Sequence, residues 1–176
     1  MSSIILLAMH GMPPSDFSKQ DLAEWGKLHS TLSQIPSAER PAAKKKYAEL
    51  DQKLRSWPRS ADNDAYFTAS YRLAERMKNV SGCEVLVGFN EFCNPSIEDA
   101  FRAAGMAGSA HVVVITPMMT RGGSHSESDI PAAIRRAKTK YPQLSIDYVW
   151  PFDEGKIAEF LSAQLTPYLT PKSSLA

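Results

Sequence analysis

Ile4-Ile5-Leu6-Leu7-Ala8-Met9-His10-Gly11 is an apolar run of strand length that ends on an imidazole and a glycine. It lacks a clean polar/apolar alternation, the pattern of a strand covered by helices on both faces. Three similar runs follow. Glu84-Val85-Leu86-Val87-Gly88-Phe89 leads into Asn90-Glu91, His111-Val112-Val113-Val114-Ile115-Thr116 leads towards His125, and Ser145-Ile146-Asp147-Tyr148-Val149-Trp150 comes last. Helical patterns separate them, so the chain reads as an α/β fold with a four-stranded parallel sheet and right-handed crossovers. Ligands of such sheets bind beyond the carboxyl ends of the strands. His10, Glu91 and His125 all fall there.

The rhythm breaks once, between the first and second runs. Residues 13–79 contain no convincing strand, but three helical stretches at 19–32, 38–56 and 64–78. Leu22, Trp25, Leu28 and Leu32 recur at helical spacing, as do Tyr47, Leu50 and Leu54. A crossover needs one helix, so 13–79 is expected to be a mainly helical insertion within a single domain spanning 1–176. Asp62 or Asn63 is expected to cap the third stretch, and Asn94 to cap the next helix with Pro95 in its first turn. Later helices are expected from about 126–129 through 132–140 and at 153–168, with the tail Thr170–Ala176 fraying.

The 176 residues are 43% hydrophobic and 22% charged, with a formal net charge of +1, ordinary values for a globular domain. No global basic field points to nucleic acid or an anionic membrane. The longest apolar run is far too short to span a bilayer, and no secretory leader is evident, so a cytoplasmic location is expected. Cys83 and Cys93 fall in or beside strands and are expected as buried free thiols.

Two imidazoles and a carboxylate at neighbouring strand ends suit a divalent metal that keeps open coordination positions. The same groups could instead accept protons. Met118 and Met119 could form an adaptable apolar wall for a flat ligand or simply fill core, and Arg121 could pair with a ligand carboxylate. Gly122 and Gly123 would let backbone approach a ligand. Neither the Walker spacing nor a dinucleotide fingerprint accompanies that pair, and no GxSxG elbow is present. His29, inside a helix of the insertion, reads as a partly exposed residue and a weaker candidate, and His111, at a strand start, as a structural one. Lys44-Lys45-Lys46 reads as a solvated helix face.

Leu6–Gly11, the stretch Phe89-Asn90-Glu91-Phe92-Cys93-Asn94-Pro95-Ser96, and Gly122-Gly123-Ser124-His125-Ser126-Glu127-Ser128-Asp129-Ile130-Pro131 together resemble the CbiX family of small sirohydrochlorin chelatases. The resemblance covers 3–11 and about 80–165 and leaves the insertion outside it. It implies a chelatase-like three-layer sandwich and an enzyme that inserts cobalt(II), or in relatives nickel(II) or iron(II), into sirohydrochlorin. It implies His10 and His125 as metal-binding and proton-accepting groups, and Glu91 as their acidic partner. Met118, Met119, Arg121, Gly122 and Gly123 become candidate substrate contacts. The metal is a substrate, no organic cofactor is implied, and short members pair as homodimers. Met12 stands where members commonly have Ser after His-Gly.

The leading expectation is therefore cobalt insertion into sirohydrochlorin. The alternatives are a non-enzymatic metal or tetrapyrrole carrier using the same cleft, and a partner-binding module built on the inserted helices.

Overall fold

A computed structural model describes residues 3–169; the fraying expected of Thr170–Ala176 lies outside them. Strands β1 (Ile4–Met9), β2 (Glu84–Phe89), β3 (His111–Ile115) and β4 (Ser145–Tyr148) form one parallel sheet in the order β2-β1-β3-β4. The expected α/β class and four-stranded parallel sheet are thus present. Strand β1 is central, with Met9 level with Phe89 on one side and Leu7 level with Ile115 on the other. The chain leaves β1 towards β2, then crosses back to β3. That reversal opens a crevice at the carboxyl end of β1.

Alternate residues of β1 serve opposite faces, as the period of two requires. Ile4, Leu6 and Ala8 join Val112, Val114 and Ile146 beneath α4 (Ile97–Met106) and α5 (Ile130–Lys140), which bury Phe101, Ala104, Ile130 and Ala137. Leu7 and Met9 join Val87 and Phe89 beneath α3 (Ala65–Ser81). The result is three layers, helix–sheet–helix. The last helix, α6 (Glu154–Leu169), buries no residue and exposes Phe160, Leu161 and Leu165. Among the described residues, no helix is long and apolar enough to cross a membrane.

The segment 13–79 divides in two. Helix α3 packs on the sheet and serves as the β1–β2 crossover, so it belongs to the layers rather than to an added rim. The remainder is a helical hairpin, α1 (Lys19–Thr31) and α2 (Arg40–Arg55). It has a small core of its own: Phe17, Trp25, Leu50 and Leu54, with Leu22, Leu28 and Tyr47 against it. Two caps also differ from expectation. Asp64, not Asp62 or Asn63, accepts from the Phe67 N–H and caps α3. Asn63 instead accepts from the Ser60 N–H and donates to Asp16. Ser96, not Asn94, caps α4 in a reciprocal box with Asp99, and Pro95 lies before the helix behind a cis peptide bond. A Ser with an acid three residues on satisfies two orphan N–H groups where an Asn cap satisfies one.

Burial would raise the Asp99 carboxyl, but its bonds from the Ser96 hydroxyl and N–H, with Arg102 and Arg55 nearby, hold it below the usual 3.8. A lowered folded value stabilises the fold above the ordinary aspartate range, and that contribution is lost as pH falls through the folded value. Asp99→Asn is therefore expected to cost about 1 kcal/mol at pH 6, with the gap to wild type narrowing at pH 3, read from urea midpoints.

Between the hairpin, α3 and the strand ends lies Arg59, whose side chain is 5% exposed and ion-paired at 2.6 Å to Asp64 at 1%. Removing one partner of an enclosed pair strands the other charge. Arg59→Met is expected to destabilise by roughly 3–5 kcal/mol. Arg59→Met with Asp64→Asn should recover part of that, because Asn keeps a cap without a charge; urea unfolding of both variants checks this.

Candidate metal centre

His10, Glu91 and His125 come from three chain segments, yet each offers a ligand atom within 4.8 Å of the others. His10 directly follows β1, where Gly11 and the prolines prevent a helix from starting. Gly11 has φ +96°, and a Cβ there would lie 2.0 Å from the Glu91 carbonyl oxygen, so only glycine fits. The loops after β1 and β2 continue the ladder: Asn90 N–H donates to Met9 O at 2.8 Å and Glu91 N–H to His10 O at 2.9 Å. Those two bonds put Glu91 beside His10. Phe92, next along, holds φ +60°, a conformation that surrounding contacts must enforce in a bulky residue.

His125 opens a single π-helical turn, His125–Asp129, ahead of α5. The Tyr148 hydroxyl donates to Ser126 O at 2.9 Å and ties that turn to the end of β4. Burial, with the Glu127 carboxylate second, pushes the Tyr148 phenol up to about 12, so it remains a donor at neutral pH.

The hydrogen bonds settle which nitrogens are free. His10 Nδ1 lies 2.6 Å from Gly11 O. A carbonyl only accepts, so Nδ1 carries the proton and Nε2 keeps its lone pair. His125 Nδ1 lies 2.7 Å from the Asp129 carboxylate, with the same consequence. The Asn90 amide also sits 2.6 Å from that Nδ1. Asn90 Nδ2 also donates to the Asp129 carboxylate at 3.4 Å, so His125, Asn90 and Asp129 form one cluster. The two rings meet edge to face, centroids 4.5 Å apart. Cys93, fully buried nearby, is a packed thiol: burial pushes it up, and its hydrogen is directed at Met12 O. It does not compete as a thiolate ligand. Cys83, expected buried, is only partly so.

The trio adjoins a cleft of about 430 Å³ lined by Glu91 and His125, by Trp25, His29 and Tyr47 of the hairpin, and by Arg55 and Arg136. Met118, Met119, Arg121, Gly122 and Gly123 do not line it. Met118 packs against the main core. Met119 and Arg121 face Phe152 and Ile157 of the segment around α6, and Arg121 is engaged by Glu127 at 2.6 Å. Gly122 donates its N–H to the same Glu127, and Gly123 sits against Ser126.

Asp129 and Asn90 were not among the residues the sequence singled out, and neither were the hairpin's contributions. A signal existed for one group. Asp129, Ala132, Ala133 and Arg136 line the cleft at positions i, i+3, i+4 and i+7, one face of a helix. Arg55 and the hairpin aromatics carry no such mark, since nothing local says that an added hairpin folds over this rim. His111, expected to be structural, ties Ser3 to Asp147 away from the cleft.

The CbiX family profile matches residues 59–166, which contain Glu91, His125 and α3 but not His10. The chain belongs to the CbiX family. Over 62 residues it is 34% identical to the sirohydrochlorin ferrochelatase of Bacillus subtilis (strain 168), covering 35% of this chain and 23% of that protein. Over 66 residues it is 32% identical to the sirohydrochlorin ferrochelatase of Priestia megaterium, covering 38% and 24%. The match thus spans about a quarter of those CbiX-related proteins. Among solved structures, the sirohydrochlorin chelatase SirB from Bacillus subtilis subspecies spizizenii in complex with cobalt aligns over 95% of this chain and 51% of its own, with a TM-score of 0.47 and 19% identity. A CbiX protein from Marinobacter aquaeolei VT8 aligns over 94% and 98%, with a TM-score of 0.46 and 15% identity.

Carboxylates bonded to the far nitrogen of a metal-binding histidine fix its orientation and raise its basicity. Asp129→Asn is expected to weaken cobalt(II) binding by roughly 10–100-fold, read by titration of the cobalt absorption bands, with little change in the unfolding midpoint.

Proposed function

We propose that this CbiX-family chain inserts a divalent metal ion, most directly cobalt(II), into sirohydrochlorin. The observation that carries this reading is the convergence of two imidazoles and one carboxylate, each offering a ligand atom within 4.8 Å of the others, at the end of the sheet. Three donors leave coordination positions open, so the ion can meet the macrocycle while still held. Neutral imidazoles and a carboxylate also bind first-row ions less tightly than a thiolate cage, and a metal that must be handed over cannot be held tightly.

Insertion exchanges one divalent ion for two pyrrole N–H protons, so charge balances and a base must stand beside the metal. Once the ion leaves, the two Nε2 atoms and Glu91 are free to take those protons. Arg55 and Arg136 line the cleft wall and would face the carboxylates of the macrocycle, each already partnered, Arg55 with Asp51 and Arg136 with Glu98. Arg121, bound to Glu127 outside the cleft, is less suited to that role than expected.

The donor set suits iron(II) and nickel(II) as well as cobalt(II), and the CbiX-related proteins matched here are ferrochelatases. Anaerobic mixing of protein, sirohydrochlorin and each ion, followed by loss of the metal-free spectrum, tests the proposal and ranks the metals. His10→Ala and His125→Ala are each expected to slow insertion by roughly 10²-fold or more. Equal rates with and without protein for all three ions would overturn it. Macrocycle binding without insertion would turn the reading into carriage.

A further inference from the structure

His29 lies on the hairpin rather than on the sheet, yet it faces the same cleft. Its Nε2 is 4.0 Å from Glu91 Oε1. Its ring stacks on Trp25, centroids 4.9 Å apart and planes 13° from parallel, and its Nδ1 is 3.1 Å from the Tyr47 hydroxyl. Trp25 is itself buried and anchored through its indole N–H to Asp51 at 3.0 Å. His29 is thus 49% exposed along its side chain but held from two sides, with the remaining nitrogen turned to the carboxylate. Surface histidines on amphipathic helices are seldom restrained in this way, and packing alone does not require Nε2 to meet Glu91.

We propose that His29 and Glu91 form a second, outer metal position through which the ion reaches His10 and His125. The inference rests on the reading of the inner trio as a metal site. Nδ1 can donate to the Tyr47 oxygen, which leaves the Nε2 lone pair for an ion. Donors about 2.1 Å from an ion span up to about 4.2 Å, so the gap between His29 and Glu91 admits one. His29 stands outside the set whose atoms lie within 4.8 Å of one another, so the outer and inner positions are neighbours that share Glu91 rather than one four-ligand site. A carboxylate has two oxygens and can turn from one position to the other, and a half-exposed imidazole meets hydrated ions before the inner pair does. The hairpin then has a chemical role: it carries a ligand that the sheet does not supply.

The chain has four histidines, so His10→Ala with His125→Ala leaves only His29 and His111. His111 lies 2.9 Å from Asp147 at the surface and serves as an internal control, an ordinary exposed histidine–carboxylate pair. Cobalt(II) titrated into that double variant would be followed through paramagnetic shifts of the two imidazole C–H signals. The proposal expects His29 to respond at a roughly tenfold lower cobalt(II) concentration than His111, and expects Glu91→Gln, added to the double variant, to abolish the difference. Equal responses, or a difference that survives Glu91→Gln, would overturn it. The wild-type protein tests the underlying reading separately. If the His10 and His125 signals do not respond before both others, the inner site fails whatever His29 does.

Discussion

Arg59 sits where four segments of chain meet, and its five donors are distributed among them. One terminal nitrogen donates to Met12 O at 2.7 Å and to Asp64 at 2.6 Å; the other donates to Leu54 O at 2.8 Å and Phe92 O at 2.5 Å; Nε donates to Trp57 O. Met12 lies just beyond His10, Phe92 just beyond Glu91, Leu54 and Trp57 at the end of α2, and Asp64 at the start of α3. The clamp therefore fixes the loops that carry His10 and Glu91 relative to the hairpin and the crossover helix. A lysine could not do this, because an ammonium is a point charge with three donors and lacks the planar fork. Leaving any of these carbonyls enclosed without a donor would cost about 1–3 kcal/mol each, which is why the loops stay in place without secondary structure of their own.

A second arginine repeats the device on the outer side of the same loop. Arg55 donates to Asn90 O at 3.0 Å and Cys93 O at 3.1 Å, with its Nε on Asp51. The loop from Asn90 to Cys93 is thus gripped from both sides. That grip explains how Phe92 sustains its left-handed backbone: the strain is of order 1–3 kcal/mol and is offset by bonds to the carbonyls on either side. Its ring lies 5.0 Å from Trp25 and 6.0 Å from His10, so one strained residue joins the hairpin core to His10.

Strands and their order of use were legible in the sequence because unbroken apolar runs of that length have few other interpretations. The meeting of His10, Glu91 and His125 was legible because a loop that follows such a run has only one end of the sheet to occupy. What remained hidden depends on distances between segments far apart in the chain. Asp129 carried a visible mark, four residues after His125. Arg55 and Arg59 carried none, since their partners are carbonyls, and every residue has one. Met118 and Arg121 lie off the cleft despite their sequence proximity to His125: the chain turns at Gly122, with φ +89°, and Arg121 pairs with Glu127. Helix α3 was grouped with the hairpin because amphipathic helices look alike until a sheet face is available to receive one.

These features tie the hairpin to the rest of the fold. Its core is small, so an isolated pair of helices of this size would be marginal in water. It is completed by Phe92, a residue of the β2 loop, and by carbonyl bonds from Arg55 and Arg59 to that loop. The hairpin and the β2 loop consequently stabilise each other, since loosening the hairpin frees the loop that holds Glu91, and displacing that loop opens the hairpin core. Binding energy applied at the cleft, where Trp25, His29 and Tyr47 stand opposite Ala132 and Ala133, is therefore shared with the folding of the hairpin, and an occupied cleft must raise the stability of both.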